Sequence, residues 1–131
     1  MSFLAKLHID DQEFNILEFS FDVTQPTNSV GQVISTPNLG SIDVLIESRS
    51  NTEFYAWSIG INTIKDGEII FYKRDNSAKA RTLEFKDSIC VYFKETFNSN
   101  SNNPMKTRLK ISARSVTLDD TEYEVSWGND Y

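Results

Sequence analysis

The sequence contains very few of the residues from which active sites and crosslinks are built. It has one cysteine, Cys90, and one histidine, His8, so an internal disulfide is excluded and no zinc-type ligand spacing is present. The five glycines are scattered along the chain, so there is no glycine-rich phosphate loop. No apolar run approaches the roughly 18 residues that a membrane-spanning helix needs. These absences argue against an enzyme, a metal or cofactor site and a membrane-inserted helix.

The length and composition predict one folded domain spanning residues 1–131. Apolar residues make up 39% of the chain and charged residues 24%, which is typical of a globular protein and not of a disordered one. The formal net charge of -6 argues against nonspecific binding to nucleic acid. The opening residues, Met1 to Lys6, lack the apolar core of a signal peptide, so we expect assembly in the cytoplasm.

The clearest pattern lies in residues 80–115, which predict two long strands joined by a polar loop at 98–104. Apolar residues occupy odd positions on both strands: Leu83, Phe85, Ile89, Val91, Phe93, Phe97, Met105, Leu109, Ile111 and Ala113. Alternation with a period of two places them on one face of a hairpin, with polar and charged residues on the other. We expect the remaining strands to cover the apolar face.

The rest of the chain predicts shorter strands and one helix. Strands are expected at 3–9, 14–23, 41–49, 68–74 and 121–127, with a β-bulge after Ile16 and a turn at Asp66-Gly67. A capping box at Ser50–Glu53 starts a helix that ends near Gly60, and its aromatic stripe, Phe54 and Trp57, is expected to plug the sheet. The prediction is a mainly β fold: a small antiparallel barrel of about seven strands, or a tight sandwich, with one short flanking helix.

A long stretch from Thr24 to Leu39 shows no strand or helix periodicity. Loops of this length are usually functional or disordered. Val30, Val33 and Ile34 are apolar residues within it, beside Gly31. Two interpretations remain open: these side chains pack on the outside of their own barrel, or they dock on another subunit.

Two groups of basic residues stand out. Lys106, Arg108, Lys110 and Arg114 form a stripe along one strand face, and cross-strand ion pairing with Glu122 and Glu124 is the simplest explanation. A charged surface facing another subunit or a channel is the alternative. The second group lies in the turn near residues 73–81: Lys73, Arg74, Lys79 and Arg81. It is either a solvated turn or a contact with an acidic neighbour.

By its residues alone, the chain is a soluble β domain that binds something or assembles with itself. If the protein were an enzyme, its catalytic residues would have to be Cys90 and His8, and nothing else in the sequence supports that pair. A monomeric barrel that binds a small apolar ligand among its aromatic side chains is the main alternative to self-assembly.

Several stretches also carry a family resemblance along the whole chain. They are Met1–Leu7, Phe71–Asp75 with Ala78-Lys79, Leu83–Phe85, Cys90–Phe97, Asn103–Ala113 and the late tryptophan Trp127. In this order and spacing they resemble the Hcp (TssD) tube proteins of type VI secretion systems, in the variety found in Bacteroidetes. Related tube proteins occur in contractile injection particles and phage tails.

The resemblance implies a β-barrel with one short helix that forms six-membered rings around a wide channel. The rings stack into an inner tube, which a contractile sheath propels out of the cell, and small effectors travel in the channel. It implies contacts with sheath, baseplate or spike, and effector proteins, and export by the apparatus after cytoplasmic assembly.

The resemblance also assigns the long loop, with Val30, Gly31, Val33 and Ile34, to contacts with a neighbouring ring or subunit. A further hypothesis is that acidic residues near the C-terminus meet the basic 73–81 turn of a neighbour. These acidic residues are Asp119, Asp120, Glu122 and Glu124.

Overall fold

A computed structural model describes residues 3–34, 36–49, 53–60 and 63–124. Within these residues the chain forms ten strands and one helix. The strands are β1 Phe3–Ile9, β2 Gln12–Ser20, β3 Val23–Thr24, β4 Asn38–Leu39, β5 Ile42–Glu47, β6 Lys65–Lys73, β7 Lys79–Phe97, β8 Met105–Ser112, β9 Ser115–Leu118 and β10 Thr121–Glu124; the helix is α1 Glu53–Ile59. In this part of the chain no helix is long and apolar enough to cross a membrane.

Six strands close into an antiparallel barrel in the order β6–β1–β2–β5–β8–β7, and β7 returns to pair with β6. The predicted mainly β barrel is therefore confirmed, and the sandwich is not the fold. The strand count exceeds the predicted seven for two reasons. The two-residue strands β3 and β4 lie at the two ends of the stretch without periodicity, and a break at residues 113–114 separates β8 from β9. Strands β9 and β10 extend the sheet beyond β7.

Apolar side chains from every strand of the barrel fill its interior. The fully buried ones include Leu7, Val44, Ile46, Ile69, Leu83, Phe85, Leu109 and Ile111. Uninterrupted alternation predicts this correctly in β5, where Ile42, Val44 and Ile46 are buried and the residues between them are not. It also predicts correctly that Leu109 and Ile111 of β8 point inward. Burial of this set is the main source of stability.

A β-bulge interrupts β2 at the predicted place. The register with β5 shifts between Ile16 and Glu18, so Leu17 is the extra residue. After Ile16 the apolar residues of the sequence shift to odd positions, namely Leu17, Phe19, Phe21 and Val23, which predicts one shared face. Leu17 and Val23 are nevertheless exposed. The inward set instead continues from Ile16 to Phe19, because one inserted residue moves each following side chain to the opposite face.

Two further bulges in β7 were not predicted, and they reverse the expected face of its middle section. Gly67 of β6 pairs with Phe85 of β7, and Lys65 pairs with Ser88, so β7 contains one residue more than β6 between these two pairs. Asp87, in this interval, has a φ of 51°. A second shift against β8 leaves Val91 as an extra, exposed residue. Ser88 and Cys90 therefore point inward. The bends allow one strand to pair with β6 and β9 at its start and with β8 at its end.

The prediction of a turn at Asp66-Gly67 is wrong, because both residues lie inside β6. A Cβ atom on Gly67 would lie 2.6 Å from Cζ of Phe85 and 2.9 Å from the carbonyl oxygen of His8. The glycine therefore permits a close approach between the β6 backbone and a core ring. Asp66 accepts a 2.8 Å hydrogen bond from the backbone N–H of Asp87 and so supports the adjacent bulge.

The helix α1 packs its aromatic face onto the barrel, as predicted. Phe54 and Trp57 belong to the core, and the Phe54 ring lies 4.9 Å from that of Phe14. The indole N–H of Trp57 donates a 3.1 Å hydrogen bond to the carbonyl of Thr63. The helix ends at Ile59, next to the predicted Gly60. Residues 50–52 of the predicted capping box, and Val125 and Trp127 of the predicted last strand, lie outside the described residues.

Candidate functional site: assembly surfaces

The two residues that an enzyme would need lie on different sides of the barrel wall. Cys90 is in the core, where burial raises the pKa of its thiol. The thiol donates a hydrogen bond to the carbonyl of Tyr92. His8 is on the outward face of β1, between Glu13 on β2 and Glu68 on β6. Over the described ranges, no group of three His, Cys, Asp or Glu side chains could hold a metal ion.

The stretch from residue 23 to residue 39, here called the arm, is a folded ribbon. Strands β3 and β4 pair at its base, and an isolated antiparallel bridge joins Thr27 to Val33 further out. At the tip, Oδ1 of Asn28 accepts hydrogen bonds from the backbone N–H groups of Val30 and Gln32, each 3.0 Å long. Gly31 takes a φ of 86°, which closes the turn. The arm is thus ordered by its own hydrogen bonds.

The apolar side chains of the arm do not pack on their own barrel. Val30, Val33 and Ile34 are 75%, 56% and 60% exposed, which excludes the first of the two interpretations above. No charged residue occurs between Asp22 and Asp43. An uncharged, ordered ribbon with three exposed aliphatic side chains is a surface suited to contact with another molecule.

The acidic and basic groups near the chain's last turn meet within one subunit. Nε of Arg81 lies 3.6 Å from Oδ2 of Asp119, and the Asp119 Oδ1 atom accepts a 3.0 Å hydrogen bond from the backbone N–H of Thr82. This contact forms because β9 pairs with β7 and sets Leu118 opposite Leu83. Asp119 therefore has a partner in its own chain, which the hypothesis of pairing with a neighbour did not foresee.

Two other residues of these groups also form hydrogen bonds within the subunit. Arg74 donates a 3.2 Å hydrogen bond to the carbonyl of Phe3, and Glu122 accepts one of 3.1 Å from Ser115. Lys73 ends β6, Lys79 begins β7, Asp120 precedes β10 and Glu124 ends it. In the sheet, β9 lies between the acidic strand β10 and the start of β7, which carries Lys79 and Arg81. The Arg81–Asp119 ion pair is a contact between the basic and the acidic group.

Arg108, in the basic stripe of β8, pairs with different partners from those predicted. Arg108 donates hydrogen bonds to Glu18 and Asp43, at 3.0 and 2.8 Å, and these two carboxylates raise its pKa. The expected pairing with Glu122 and Glu124 is wrong for this residue. Within the described residues β8 lies between β5 and β7, whereas β10 pairs with β9 at the edge of the sheet. Elsewhere in the stripe, Nζ of Lys110 lies 5.2 Å from the centroid of the Tyr92 ring.

A depression of about 330 Å³, here called the helix groove, lies between α1 and the β7–β8 hairpin. Its apolar lining is Ile46, Phe54, Tyr55 and Phe93, with Arg49 and Glu95 among the polar residues. The Tyr55 and Phe93 rings are 5.8 Å apart. This groove was not predicted from the sequence, although one signal is present: Tyr55 is an aromatic residue of α1 that lies outside the buried pair Phe54 and Trp57.

Two other depressions differ in chemistry. The barrel mouth, of about 560 Å³, is lined by Phe3, Phe19, Phe21, Phe71, Leu83 and Leu118 and lies at the barrel end from which the arm emerges. An acidic depression of about 520 Å³ near the β1–β2 turn is lined by Asp10, Asp11, Glu13, Asp66, Glu68 and Glu84 beside His8 and Lys86.

Comparisons with known proteins agree with this geometry. The family model described as Hemolysin coregulated protein Hcp (TssD) matches residues 1–128. The structure of Hcp1 from Flavobacterium johnsoniae is 31% identical, with a TM-score of 0.85 over 92% of this chain and 98% of that one. A search of curated proteins found no match.

More distant structures share the fold alone. Hcp1 from Salmonella typhimurium is 11% identical, with a TM-score of 0.74 over 94% of this chain and 92% of that one. A chain of the sheath-tube complex of an extracellular contractile injection system, PVC, in the extended state is 19% identical. Its TM-score is 0.52, over 89% of this chain and 88% of that chain.

Proposed function

Because the chain belongs to the Hcp (TssD) family, we propose that it is the structural subunit of the inner tube of a type VI secretion system. The observation that carries this proposal is the family match over nearly the whole chain. The chain's own chemistry supports it, since the described residues contain exposed, ordered surfaces and do not combine Cys90 with His8 into a reactive pair.

In this proposal, six copies form a closed ring around a channel, and rings stack into an open-ended tube. A ring needs a head-to-tail interface that closes, whereas stacking repeats one interface indefinitely. The subunit offers separate surfaces for the two purposes: charged groups around β7, β9 and β10, and the apolar arm at one end of the barrel. The arm residues Val30, Gly31, Val33 and Ile34 are assigned to the contact between rings.

The tube assembles in the cytoplasm, is surrounded by a contractile sheath on a baseplate with a spike, and is exported when the sheath contracts. Effector proteins are the cargo of its channel. Nucleic acid is not a partner, in keeping with the net charge of -6, and the tube subunit does not insert into a membrane or act as an enzyme.

Negative-stain electron microscopy at high protein concentration, together with light scattering, tests the proposal. We expect rings with a central hole and a mass six times the 15.0 kDa of the chain. Monomers at every concentration would contradict it and would favour the alternative, a monomeric barrel that binds a small apolar ligand. Because side chains fill the barrel interior, such a ligand would have to occupy the open barrel mouth, and lipid extraction or a thermal shift with fatty acids would reveal it.

The charged groups give a second prediction. Reversing Arg74 and Arg81 to glutamate is expected to weaken rings if these residues meet acidic residues of a neighbour. Folding should be little affected, because the Arg81–Asp119 pair is exposed and such pairs contribute only about 0–1 kcal/mol. Light scattering measures the ring mass, and a thermal melt checks the fold.

Two controls sharpen this test. Lys106→Glu reverses a basic residue on β8, outside the turn, and should leave rings intact. Adding Asp120→Lys and Glu124→Lys to the double reversal should restore rings, because the opposite signs would face each other again. Ring formation unchanged by the double reversal would show that these charges are not at the ring interface.

A further inference from the structure

We infer that the helix groove receives the arm of a subunit in the adjacent ring. The inference rests on the proposed tube function and extends it, because it identifies the surface that the arm contacts. The proposed occupant is a second copy of this chain, and the contact runs from the arm end of one barrel to the helix end of the next.

The positions of the two surfaces fit a head-to-tail stack. The arm connects β2 to β5 at the end of their ladder where Ser20 pairs with Asp43. The helix α1 follows the other end of β5, and its Phe54 packs on Phe14, near the start of β2. The β5 strand between them is about 20 Å long at 3.3 Å per residue. Arm and groove are therefore at opposite ends of one barrel, and stacked copies bring unlike ends together.

The chemistry of the two surfaces also matches. The arm has no charged residue and exposes Val30, Val33 and Ile34, while the groove exposes Tyr55 beside the partly buried ring of Phe93. The hydroxyls of Ser48 and Thr107 in the groove form a hydrogen bond with each other at 2.6 Å. An arm that covers them therefore does not leave them without a hydrogen-bond partner. Both surfaces are ordered before contact, which lowers the entropic cost of docking.

The other depressions fit the arm poorly. The acidic depression is lined by six carboxylates, and an apolar arm would desolvate them without pairing them. The barrel mouth is apolar but lies at the same end of the barrel as the arm, so in a head-to-tail stack it faces the wrong end of the next subunit. The helix groove is the apolar depression that faces an incoming arm.

Cysteine crosslinking in assembled tubes tests the inference. The variant Val33→Cys with Tyr55→Cys is expected to give a ladder of covalent oligomers on a non-reducing gel, which collapses to monomer on reduction. A disulfide requires Cα atoms about 4.4–6.8 Å apart, so the ladder reports direct contact. Val33→Cys with Ile59→Cys is the matched control, since Ile59 is also exposed on α1, at 64% against 55% for Tyr55, but does not line the groove. The unmodified chain, with only the buried Cys90, is the blank.

A substitution in the groove provides an independent readout. Tyr55→Asp should keep rings and lose tubes, because it places a carboxylate where the apolar arm docks, whereas Ile59→Asp should keep both. Two outcomes would overturn the groove assignment but not the tube function. One is that Tyr55→Asp forms tubes normally. The other is that the unmodified chain forms tubes but Val33→Cys with Tyr55→Cys gives no ladder. Absence of rings and tubes in the unmodified chain would instead contradict the proposed function, and this inference with it.

Discussion

Replacing Trp57 by alanine is expected to lower the free energy of unfolding by about 3–5 kcal/mol, as for other fully buried aromatic residues. Trp57 is only 2% exposed and packs in the core cluster with the strands of the barrel. Truncation removes its buried surface, opens a cavity at the helix end of the barrel and leaves the Thr63 carbonyl without the indole donor. Urea denaturation of the monomer measures the change.

Two variants on α1 separate the contributions to this loss. Trp57→Phe retains most of the ring and removes the hydrogen bond, so we expect a cost of about 1 kcal/mol or slightly more. Tyr55→Ala truncates an aromatic residue that is 55% exposed, and it should cost less than Trp57→Ala by at least about 2 kcal/mol. An equal cost for Tyr55→Ala and Trp57→Ala would show that α1 does not close the core.

The sequence predicts the fold best where one pattern has one interpretation. In β5, Ile42, Val44 and Ile46 occupy alternate positions, and the residues between them include the charged Asp43. The face that carries the three aliphatic residues is therefore the one expected to be buried, as it is. In β7 the pattern is ambiguous, because Cys90 and Val91 are both apolar and either can point inward. The bulge at Asp87 decides between them, and its sequence signal is weak: aspartate tolerates a positive φ but does not require one.

Packing between distant residues explains the other misses. Asp66-Gly67 has the composition of a turn, yet the glycine is there because the Phe85 ring covers it. Arg108 pairs with Glu18 and Asp43 because β8 lies beside β5, an order that a single sequence does not specify. The alternation within each strand is local and readable, whereas neighbours in the sheet depend on how the barrel closes.

The candidate site was only partly predictable for a similar reason. The sequence identifies the arm as unusual, but its aliphatic residues are equally compatible with packing on the barrel or with exposure. The structure resolves this, because Val30, Val33 and Ile34 are all more than half exposed. The helix groove combines residues from β5, α1, β7 and β8, and no local pattern indicates that these four elements meet.

Replacing Val33 by aspartate is expected to leave rings intact and to prevent their stacking into tubes. Val33 is 56% exposed in the subunit, so a carboxylate there stays solvated and the barrel folds normally. In a stacked tube the same carboxylate would be buried against an apolar surface, and burying an unpaired charge costs several kcal/mol even after relaxation. The penalty recurs at every subunit of the ring. Electron microscopy distinguishes rings from tubes, and light scattering confirms the ring mass.

The pH dependence of this variant identifies charge as the cause. Burial against an apolar surface raises the pKa of this carboxyl in the stacked tube above its ordinary value of about 3.9, so stacking of Val33→Asp should strengthen as the pH falls from that raised pKa and level off at about pH 4. Val33→Asn is the matched control: it has nearly the same shape without the ionisation, and its weaker defect should not follow that titration. If Asn and Asp abolish tubes equally at every pH, the arm needs an apolar side chain at this position and charge adds nothing. If neither changes tube length, Val33 does not lie between rings, and the arm serves another contact.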